Sequence, residues 1–295
     1  MRAVLIHNPA AGSSTRASLI DDVSRILRGG GVEIRSAPTE TSGHATEIAR
    51  EVAREGSVDW ALAFGGDGTV REVAKGLLGS NVALGPLAGG TTNVIARSLG
   101  LSVDPHQAAR QLLESAPIDC DVGLCGDEPF LMQATLGLDA AIMAEVPARL
   151  KRIAGRAAVA LSGLRTWARY PSPRITYAAD GETSSAYFVA ACNIAHYAGD
   201  FLLAPQAGFQ TRRLDLVTLE TPGRPALLRF VLRLALGRHL EMKGVASRSI
   251  DRLELPAPLG APLQLDGDHL ELEPPLRIRL ADQRLRLLAK GAPRG

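Results

Sequence analysis

Phe64-Gly65-Gly66-Asp67-Gly68-Thr69 follows an apolar run over 60–64 and precedes a segment with helical spacing over 70–78. A buried strand that breaks into glycines and then enters a helix is the arrangement with which α/β folds bind phosphate. The glycines let the backbone approach the ligand, and the helix N-terminus offers N–H groups and a partial positive charge. The carboxylate of Asp67 favours a cation such as Mg²⁺ beside such phosphates. An ordinary strand-to-helix turn, capped by Asp67 or Thr69, is the alternative at this point.

The chain around this stretch alternates strands with helices. The apolar runs that predict strands lie at 3–6, 32–36, 60–64 and 82–87. This alternation predicts a parallel sheet with helices on both faces, in which ligands bind beyond the carboxyl ends of the strands. Three of these strands end in small polar loops, and at one edge of a sheet the loops would form a nucleotide-sized crevice. The three loops cover 8–12, 65–69 and 89–93.

Beyond Cys120 the pattern changes to short alternating runs separated by turn residues, which is typical of an all-β domain. Helical inserts interrupt it around 144–170 and 226–236. The runs that predict strands lie at 119–123, 130–135, 175–178, 187–193, 214–219, 249–255, 262–266, 276–280 and 285–288.

Composition limits the classes of protein that fit. The chain has 295 residues and a formal net charge of only +2, so no bulk polyanion is implied as a partner. Its three cysteines lack the paired spacing of a zinc site and suit buried thiols in a reducing compartment. No apolar run reaches the ~18 residues that a membrane span needs. We therefore expect a soluble, cytoplasmic protein that touches a membrane at most from its surface.

Four motifs occur in order along the chain, and together they resemble those of the diacylglycerol kinase catalytic family. This family includes bacterial diacylglycerol kinases, sphingosine kinases and ceramide kinases. NAD kinases and phosphofructokinases carry a similar Gly-Gly-Asp-Gly loop, but the third and fourth motifs look more like those of the lipid kinases. The motifs are Asn8-Pro9-Ala10-Ala11-Gly12, Gly65-Gly66-Asp67-Gly68-Thr69-Val70-Arg71-Glu72-Val73, Gly90-Thr91-Thr92-Asn93 and Leu265-Asp266-Gly267-Asp268.

The resemblance implies a fold and a division into domains. It predicts an α/β protein with an N-terminal parallel-sheet nucleotide-binding domain over 1–123 and a C-terminal β-sandwich lipid-substrate domain over 124–288. The tail from about 289 to 295 is free to return to the first domain in this scheme. The reaction implied is transfer of the γ-phosphoryl group of ATP, with Mg²⁺, to a lipid hydroxyl. When the ATP-binding positions of the family are matched to this sequence, the resemblance implies that ATP contacts Asn8, Thr39, Gly65, Gly66, Asp67, Gly68, Thr69 and Thr91.

The late motif supplies the catalytic residues implied by the resemblance. Asp268 stands where the family has its general base, and Asp266 would orient that base or the metal. Asp67 and Asp215 would be the metal ligands. Because Asp-Gly is also the usual sequence of a type I′ hairpin turn, we expect a turn and a catalytic site together. The family usually has Glu at position 268, and Thr211 and Arg212 fill places that usually hold Asp-Gly.

Two stretches carry a clear excess of positive charge. The stretch over 224–243 has five cations against Glu241 alone, interleaved with leucines, and the stretch over 145–174 is similarly basic. Such a basic amphipathic stretch suits an anionic membrane surface, where each cation contributes ~1 kcal/mol. A solvated helix face is the alternative. Nucleic-acid binding is disfavoured because aromatic residues are scarce and the net charge is near zero.

The sequence therefore predicts an ATP- and Mg²⁺-dependent lipid kinase. One alternative is a kinase of a soluble hydroxyl compound, in the manner of NAD kinase. Another is a catalytically inactive nucleotide- or lipid-binding protein, suggested by Asp268, Arg71 and Thr211. The identity of the lipid and the existence of a homodimer stay open at this stage.

Overall fold

The computed structural model describes residues 1–8, 14–145, 163 and 165–291, and the chain divides into two units. The first unit combines Met1–Cys120 with Asp282–Gly295, and the second is Asp121–Ala281. The second unit, which is built mainly of strands, thus interrupts an α/β unit, whose last strand comes from the C-terminal part of the chain.

The first unit is built on a six-stranded sheet with the order β2-β1-β3-β4-β20-β5. Neighbouring strands from β2 to β20 run parallel, and β5 is an antiparallel edge strand. Every residue of β3 and β4 is buried, as expected where helices cover both faces of a parallel sheet. The strands are β1 (Arg2–His7), β2 (Glu33–Pro38), β3 (Trp60–Gly65), β4 (Ala83–Ala88), β5 (Ala116–Cys120) and β20 (Leu285–Ala289).

Helices connect these strands. Gly56 ends the second of them in the left-handed conformation, with φ 64°, and Asp104 caps the fifth by accepting the amide of Gln107 at 2.8 Å. The helix predicted from position 70 begins earlier, because Gly66 O accepts the amides of Thr69 and Val70 at 3.0 and 3.1 Å. The helices in the described part of this unit are α1 (Ser14–Gly29), α2 (His44–Glu55), α3 (Asp67–Leu77), α4 (Val94–Ser98) and α5 (Pro105–Glu114).

The second unit contains two six-stranded antiparallel sheets and a two-stranded ribbon. The sheet orders are β10-β9-β16-β19-β6-β7 and β15-β14-β11-β8-β17-β18, and the ribbon is β12-β13. The strands are β6 (Gly123–Cys125), β7 (Glu128–Phe130), β8 (Gln133–Leu136), β9 (Ile175–Ala179), β10 (Glu182–Ala186), β11 (Phe188–Cys192), β12 (His196–Tyr197), β13 (Phe201–Leu202), β14 (Leu214–Leu219), β15 (Val245–Ile250), β16 (Arg252–Leu255), β17 (Leu263–Leu265), β18 (Asp268–Leu270) and β19 (Leu276–Leu280).

The two large sheets share one apolar core. Phe130 and Tyr177 enter it from one sheet, and Val189 and Leu216 enter it from the other. This packing of sheet on sheet confirms the predicted fold class, an α/β domain followed by a β-sandwich.

The described part of the second unit also contains helical segments. They include α6 (Leu138–Glu145), α7 (Arg224–Ala235) and the short 3₁₀ turn His239–Glu241, and residues 165–169 are helical as well. α7 places Leu227 and Phe230 against Phe188 and Val217, on the face of the second sheet that points away from the shared core. Most of the predicted insert around 144–170 lies outside the described residues. No helix in the described part of the chain is both long and apolar enough to cross a membrane.

Four strand assignments differ from the sequence-based expectation. The run 119–123 covers the end of β5 and the start of β6, and the run 130–135 covers the end of β7 and most of β8. In both cases the two strands belong to different sheets. The run 285–288, expected in the β-sandwich, forms β20 of the first sheet, and the return to the first unit begins at Asp282 instead of about 289. The run 249–255 is divided at Asp251 between β15 and β16, which belong to different sheets. Alternating burial reports that a segment is a strand, but it does not report which neighbour pairs with it.

Candidate functional site

The carboxyl ends of four parallel strands are aligned in the first unit. His7 is paired with both Pro38 and Phe64, and Phe64 is paired with Leu87. The residues that follow these strands therefore lie side by side at one edge of the sheet. They are Asn8, Thr39, the loop from Gly65 and the loop from Gly89.

The two glycine-rich loops pack backbone to backbone. The amide of Gly89 donates to Gly65 O at 2.8 Å. A Cβ atom on Gly90 would lie 2.6 Å from the Cα of Gly66, and one on Gly65 would lie 2.4 Å from Thr69 Oγ1. Only glycine fits at these two positions without moving the loops. The two loops are therefore packed tightly together, and their backbone lies at the edge of the sheet.

Asp67 joins the same two loops through its carboxylate. Oδ2 accepts Thr92 Oγ1 at 3.1 Å and the amide of Val94 at 3.1 Å, and Oδ1 accepts the amide of Ile95 at 3.0 Å. Asp67 is only 9% exposed, so this carboxylate serves as a cap for the N-terminus of α4. The sequence suggested either a role at the metal and phosphates or a cap for the helix that begins at Asp67, and the structure shows a cap for a different helix, α4.

We expect Asp67→Asn to lower the stability of the protein. An amide offers one acceptor oxygen and turns an N–H donor toward groups that are themselves donors, which should cost about 2 kcal/mol of the free energy of unfolding. Chemical denaturation measures this loss. Asp104→Asn is the matched control, because Asn is as good as Asp at an exposed helix N-cap. Equal stability of the two variants would refute the capping role of Asp67.

Asn93 closes the second loop. Its Oδ1 accepts the amide of Gly90 at 2.9 Å, and its Nδ2 donates to Gly90 O at 2.9 Å. Its backbone is left-handed, with φ 49°, a conformation that Asn tolerates better than most residues. Thr91 is consequently held exposed at the tip of the loop. Sequence reasoning quoted Asn93 within a motif but did not assign it this role.

Thr39 and Asn8 lie at the neighbouring strand ends. Thr39 is 6% exposed, and its amide extends the sheet by donating to His7 O at 2.8 Å. Asn8 is partly exposed directly after β1. The structure therefore brings the predicted ATP-binding residues together at one sheet edge. The segment 9–12 of the first motif lies outside the described residues.

The late motif forms a tight hairpin in the second unit. Leu265 of β17 pairs with Asp268 of β18, and the two turn residues have positive φ, 53° for Asp266 and 85° for Gly267. Two left-handed residues define the type I′ turn that Asp-Gly favours, so the turn prediction is confirmed. Asp268 follows the turn and is partly exposed.

Asp266 anchors this hairpin. Its carboxylate accepts the amides of Leu131, Met132 and Gln133 at 2.7, 2.8 and 3.1 Å, and the residue is only 5% exposed. Three amide donors around a buried carboxylate indicate a residue that holds the fold. The expected role of Asp266, orienting the base or the metal, stays a prediction, and the contacts seen here fix the backbone of the turn that precedes Asp268.

A buried polar network that the sequence did not reveal supports the hairpin. Gln264 Nε2 donates to Thr135 Oγ1 at 2.7 Å and to Asp139 Oδ2 at 3.1 Å, and Gln264 Oε1 accepts the amide of Gly267. The hydroxyl of Tyr197 also donates to Asp139 Oδ2 at 3.1 Å. Burial and then the nearby carboxylate raise the pKa of Tyr197 well above its usual value. The only signal in the sequence was Asp139 itself, a carboxylate within an apolar run.

Asp215 has a structural contact, and its expected role at a metal stays a prediction. It is buried in β14, and its Oδ1 accepts Ser249 Oγ at 2.5 Å. Arg212, at a place where the family usually has Gly, adopts φ 60°, donates its amide to Asp121 at 2.7 Å and places its guanidinium 3.4 Å from that buried carboxylate. Within the described part of the chain, no three His, Cys, Asp or Glu side chains are grouped so that they could hold a metal ion.

Comparison with known proteins agrees with this architecture. The model of the diacylglycerol kinase catalytic domain matches residues 2–125, and that of the YegS C-terminal NAD kinase beta sandwich-like domain matches residues 133–289. A protein of Pseudomonas aeruginosa named "Probable lipid kinase YegS-like" is 30% identical over 98% of this chain and 95% of its own length.

The chain belongs to the YegS-like lipid kinase family. Its family resemblance to diacylglycerol kinases, expected from the four motifs, is thereby confirmed, and the chain is an enzyme of the phosphotransferase class.

Other relatives cover the chain similarly. A "Probable lipid kinase YegS-like" of Chromohalobacter salexigens is 34% identical over 71% of this chain and 69% of its own. The diacylglycerol kinase of Bacillus subtilis is 26% identical over 91% of this chain and 90% of its own. A crystal structure of a diacylglycerol kinase from Bacillus anthracis matches with a TM-score of 0.79 at 21% identity, over 98% of this chain and 97% of that chain. At that identity the match shows a shared fold.

Proposed function

We propose that this YegS-like lipid kinase transfers the γ-phosphoryl group of ATP to a hydroxyl of a lipid such as diacylglycerol. The observation that carries the proposal is the pair of interlocked glycine loops at the carboxyl edge of the parallel sheet. The names of the relatives support the acceptor class, since they are called lipid kinases or diacylglycerol kinases.

ATP would bind through the backbone of the first unit. The loop from Gly65 leads into α3, whose first turn is Asp67, Gly68 and Thr69, so several amides and the helix N-terminus face the same sheet edge. Exposed Thr91 offers a hydroxyl from the second loop, with Asn8 and Thr39 at the flanking strand ends. A loose, metaphosphate-like transition state needs positioning and charge neutralisation more than covalent help, which suits such a site.

Mg²⁺ would enter with the nucleotide. Magnesium in kinases is held by one or two carboxylates together with substrate phosphates, so a complete protein cage is not needed. From the described residues, Oδ1 of Asp67 accepts one hydrogen bond, donated by the amide of Ile95, and a carboxylate oxygen can accept two. Asp67 is therefore the residue that would hold the ion, while Asp215 is not proposed as a ligand. When bound, the ion would neutralise negative charge on the phosphates.

Asp268 would act as the general base. It stands directly after a turn whose geometry is fixed by Asp266 on one side and by the contact between Gln264 and Gly267 on the other. A base on a rigid hairpin can accept the proton of the acceptor hydroxyl without reorganisation of the backbone. Its side chain is one methylene shorter than the Glu that the family usually has.

An acceptor panel tests the proposed function. The wild-type protein is incubated with labelled ATP and Mg²⁺ together with diacylglycerol, sphingosine, ceramide, NAD or a sugar, and the labelled product is identified. We expect label in a lipid, with diacylglycerol the preferred acceptor. Label in NAD or the sugar alone would establish the soluble-substrate alternative, and label in none of them would establish the inactive-protein alternative.

The glycine packing provides a second prediction. We expect Gly90→Ala to weaken ATP binding by about tenfold or more, equivalent to ~1.4 kcal/mol, because the added Cβ would push the second loop away from Gly66. Calorimetric titration with ATP measures the change. Gly29→Ala is the matched control, since a Cβ there meets no atom within 4 Å and φ is not positive. Unchanged affinity in Gly90→Ala would show that the loop contact does not shape the nucleotide site.

A further inference from the structure

Helix α7 is apolar on two faces, although only one of them packs against the protein. Ala226, Leu227, Phe230 and Leu234 are buried against the second sheet. At 100° per residue a second stripe of Leu228, Val231 and Leu232 points the other way, and Leu236 follows at the C-terminal cap of the helix. A helix that is apolar nearly all round is normally covered on all sides, which is not the case for α7.

Exposed apolar side chains are concentrated on this part of the chain. Among the described residues, eight large apolar side chains are exposed, and five of them fall between positions 228 and 240. Four of the five are 40–57% exposed, and Leu236 reaches 73%. We call these five the α7 patch: Leu228, Val231, Leu232, Leu236 and Leu240. Scattered single leucines are ordinary on a surface, but a contiguous cluster marks an interaction site.

Cations border the α7 patch. Arg229 and Arg233 lie between the exposed and buried stripes on one side of the helix, and Arg238 and Lys243 follow it. Glu241 is the one acidic residue of the stretch 224–243. It pairs with Arg238 at 2.8 Å and lies 3.7 Å from Arg233, so one carboxylate serves two of the arginines. The stretch keeps a net positive charge after these pairs are counted.

We propose that the α7 patch inserts into the surface of an anionic lipid bilayer. The leucines would enter the boundary between headgroups and acyl chains, while the bordering arginines and Lys243 would remain at the level of the anionic headgroups. This inference rests on the proposed function, because a kinase whose acceptor is a lipid must reach a membrane surface. It refines the expectation for a basic amphipathic stretch, because it assigns most of the attraction to insertion of the aliphatic side chains.

Charge selects the bilayer over a second copy of the chain. In a two-fold dimer built on the α7 patch, the same surface would meet itself, so the arginines bordering one copy would approach those of the other. Like charges brought together in this way oppose association. An anionic lipid surface offers the opposite charge and an apolar layer beneath it, which matches both properties of the patch.

Vesicle sedimentation tests this proposal without any assay of activity. The full chain and the variant Val231→Ser/Leu232→Ser/Leu236→Ser are mixed with vesicles of phosphatidylcholine and phosphatidylglycerol. We expect the partition coefficient of the triple variant to be lower by about tenfold or more, because burial of one aliphatic side chain raises the partition coefficient about tenfold or more. Arg229→Gln should lose about fivefold on these vesicles and nothing on phosphatidylcholine alone. Val103→Ser, which removes a 43% exposed apolar side chain elsewhere, is the matched control and should bind as wild type does.

The outcomes separate this inference from the proposed function. If wild type binds vesicles and the triple variant does not, while neither phosphorylates a lipid, the membrane surface is established and the proposed activity fails. If the triple variant binds vesicles like wild type, the inference is overturned whatever the activity. A wild-type dimer that the triple substitution converts to monomer, with vesicle binding unchanged, would assign the patch to a second copy. Thermal unfolding should be unchanged, because all three substituted side chains are exposed.

Discussion

Asp268→Asn is expected to lower the turnover number by about 10² to 10⁴-fold, the usual contribution of a general base. An amide cannot accept the proton of the acceptor hydroxyl, whereas the ATP-binding backbone of the first unit is untouched by this change. The Kd for ATP should therefore stay within about twofold of the wild-type value, the pattern expected when an interaction made only in the transition state is lost. Turnover in mixed micelles and calorimetric titration with ATP measure the two quantities.

Asp268→Glu is the matched variant. It keeps the carboxylate and restores the residue that the family usually has at this position, so it should retain activity. If Asp268→Asn turned over as fast as wild type, Asp268 would not be the general base and would have only a structural place in the hairpin. Activity that appears only in Asp268→Glu would show that the shorter side chain has disabled the enzyme.

Asp266→Ala is expected to cost about 3 to 5 kcal/mol of the free energy of unfolding. The substitution leaves the amides of Leu131, Met132 and Gln133 buried without their acceptor, and each such loss costs about 1–3 kcal/mol before relaxation. Position 266 also has φ 53°, which Ala adopts less readily than Asp. Denaturant titration of the full chain measures the loss.

Asp127→Ala is the control for Asp266→Ala. Asp127 is an exposed residue in the turn between β6 and β7, so its substitution by Ala removes a turn carboxylate without removing a buried acceptor. We expect its stability to remain within about 0.5 kcal/mol of wild type. If both variants are equally stable, the bonds to Asp266 do not hold the hairpin in place, and the positioning of Asp268 needs another explanation.

The fold could be predicted from the sequence because short apolar runs are bounded by turn residues. The strands over 214–219 and 276–280 agree with the structure to the residue. The first is buried at every position and the second alternates at its start, so a run of strand length between turn residues marked them both. Pairing could not be predicted in the same way. The strand Leu285–Ala289 joins the first sheet because the chain returns to the first unit after the second, and a local sequence pattern does not encode this long-range pairing.

The candidate site could be predicted in its location but not in its internal bonding. Glycine loops after strands mark an edge of a parallel sheet, and the structure places them there. The sequence does not tell whether a carboxylate binds a ligand or the protein's own amides. Asp67 and Asp266 both accept backbone amides from residues distant in the sequence, and only the folded chain shows which amides these are.

The most direct measurement follows label from the γ-phosphate of ATP into the organic phase, with wild-type protein, Mg²⁺ and diacylglycerol in mixed micelles. We expect a labelled phosphorylated lipid whose formation requires both the protein and the lipid acceptor, and whose rate of formation falls by about 10² to 10⁴-fold in Asp268→Asn. Label that remains in ATP, or appears only as free phosphate at every diacylglycerol concentration, would refute the proposed lipid kinase activity.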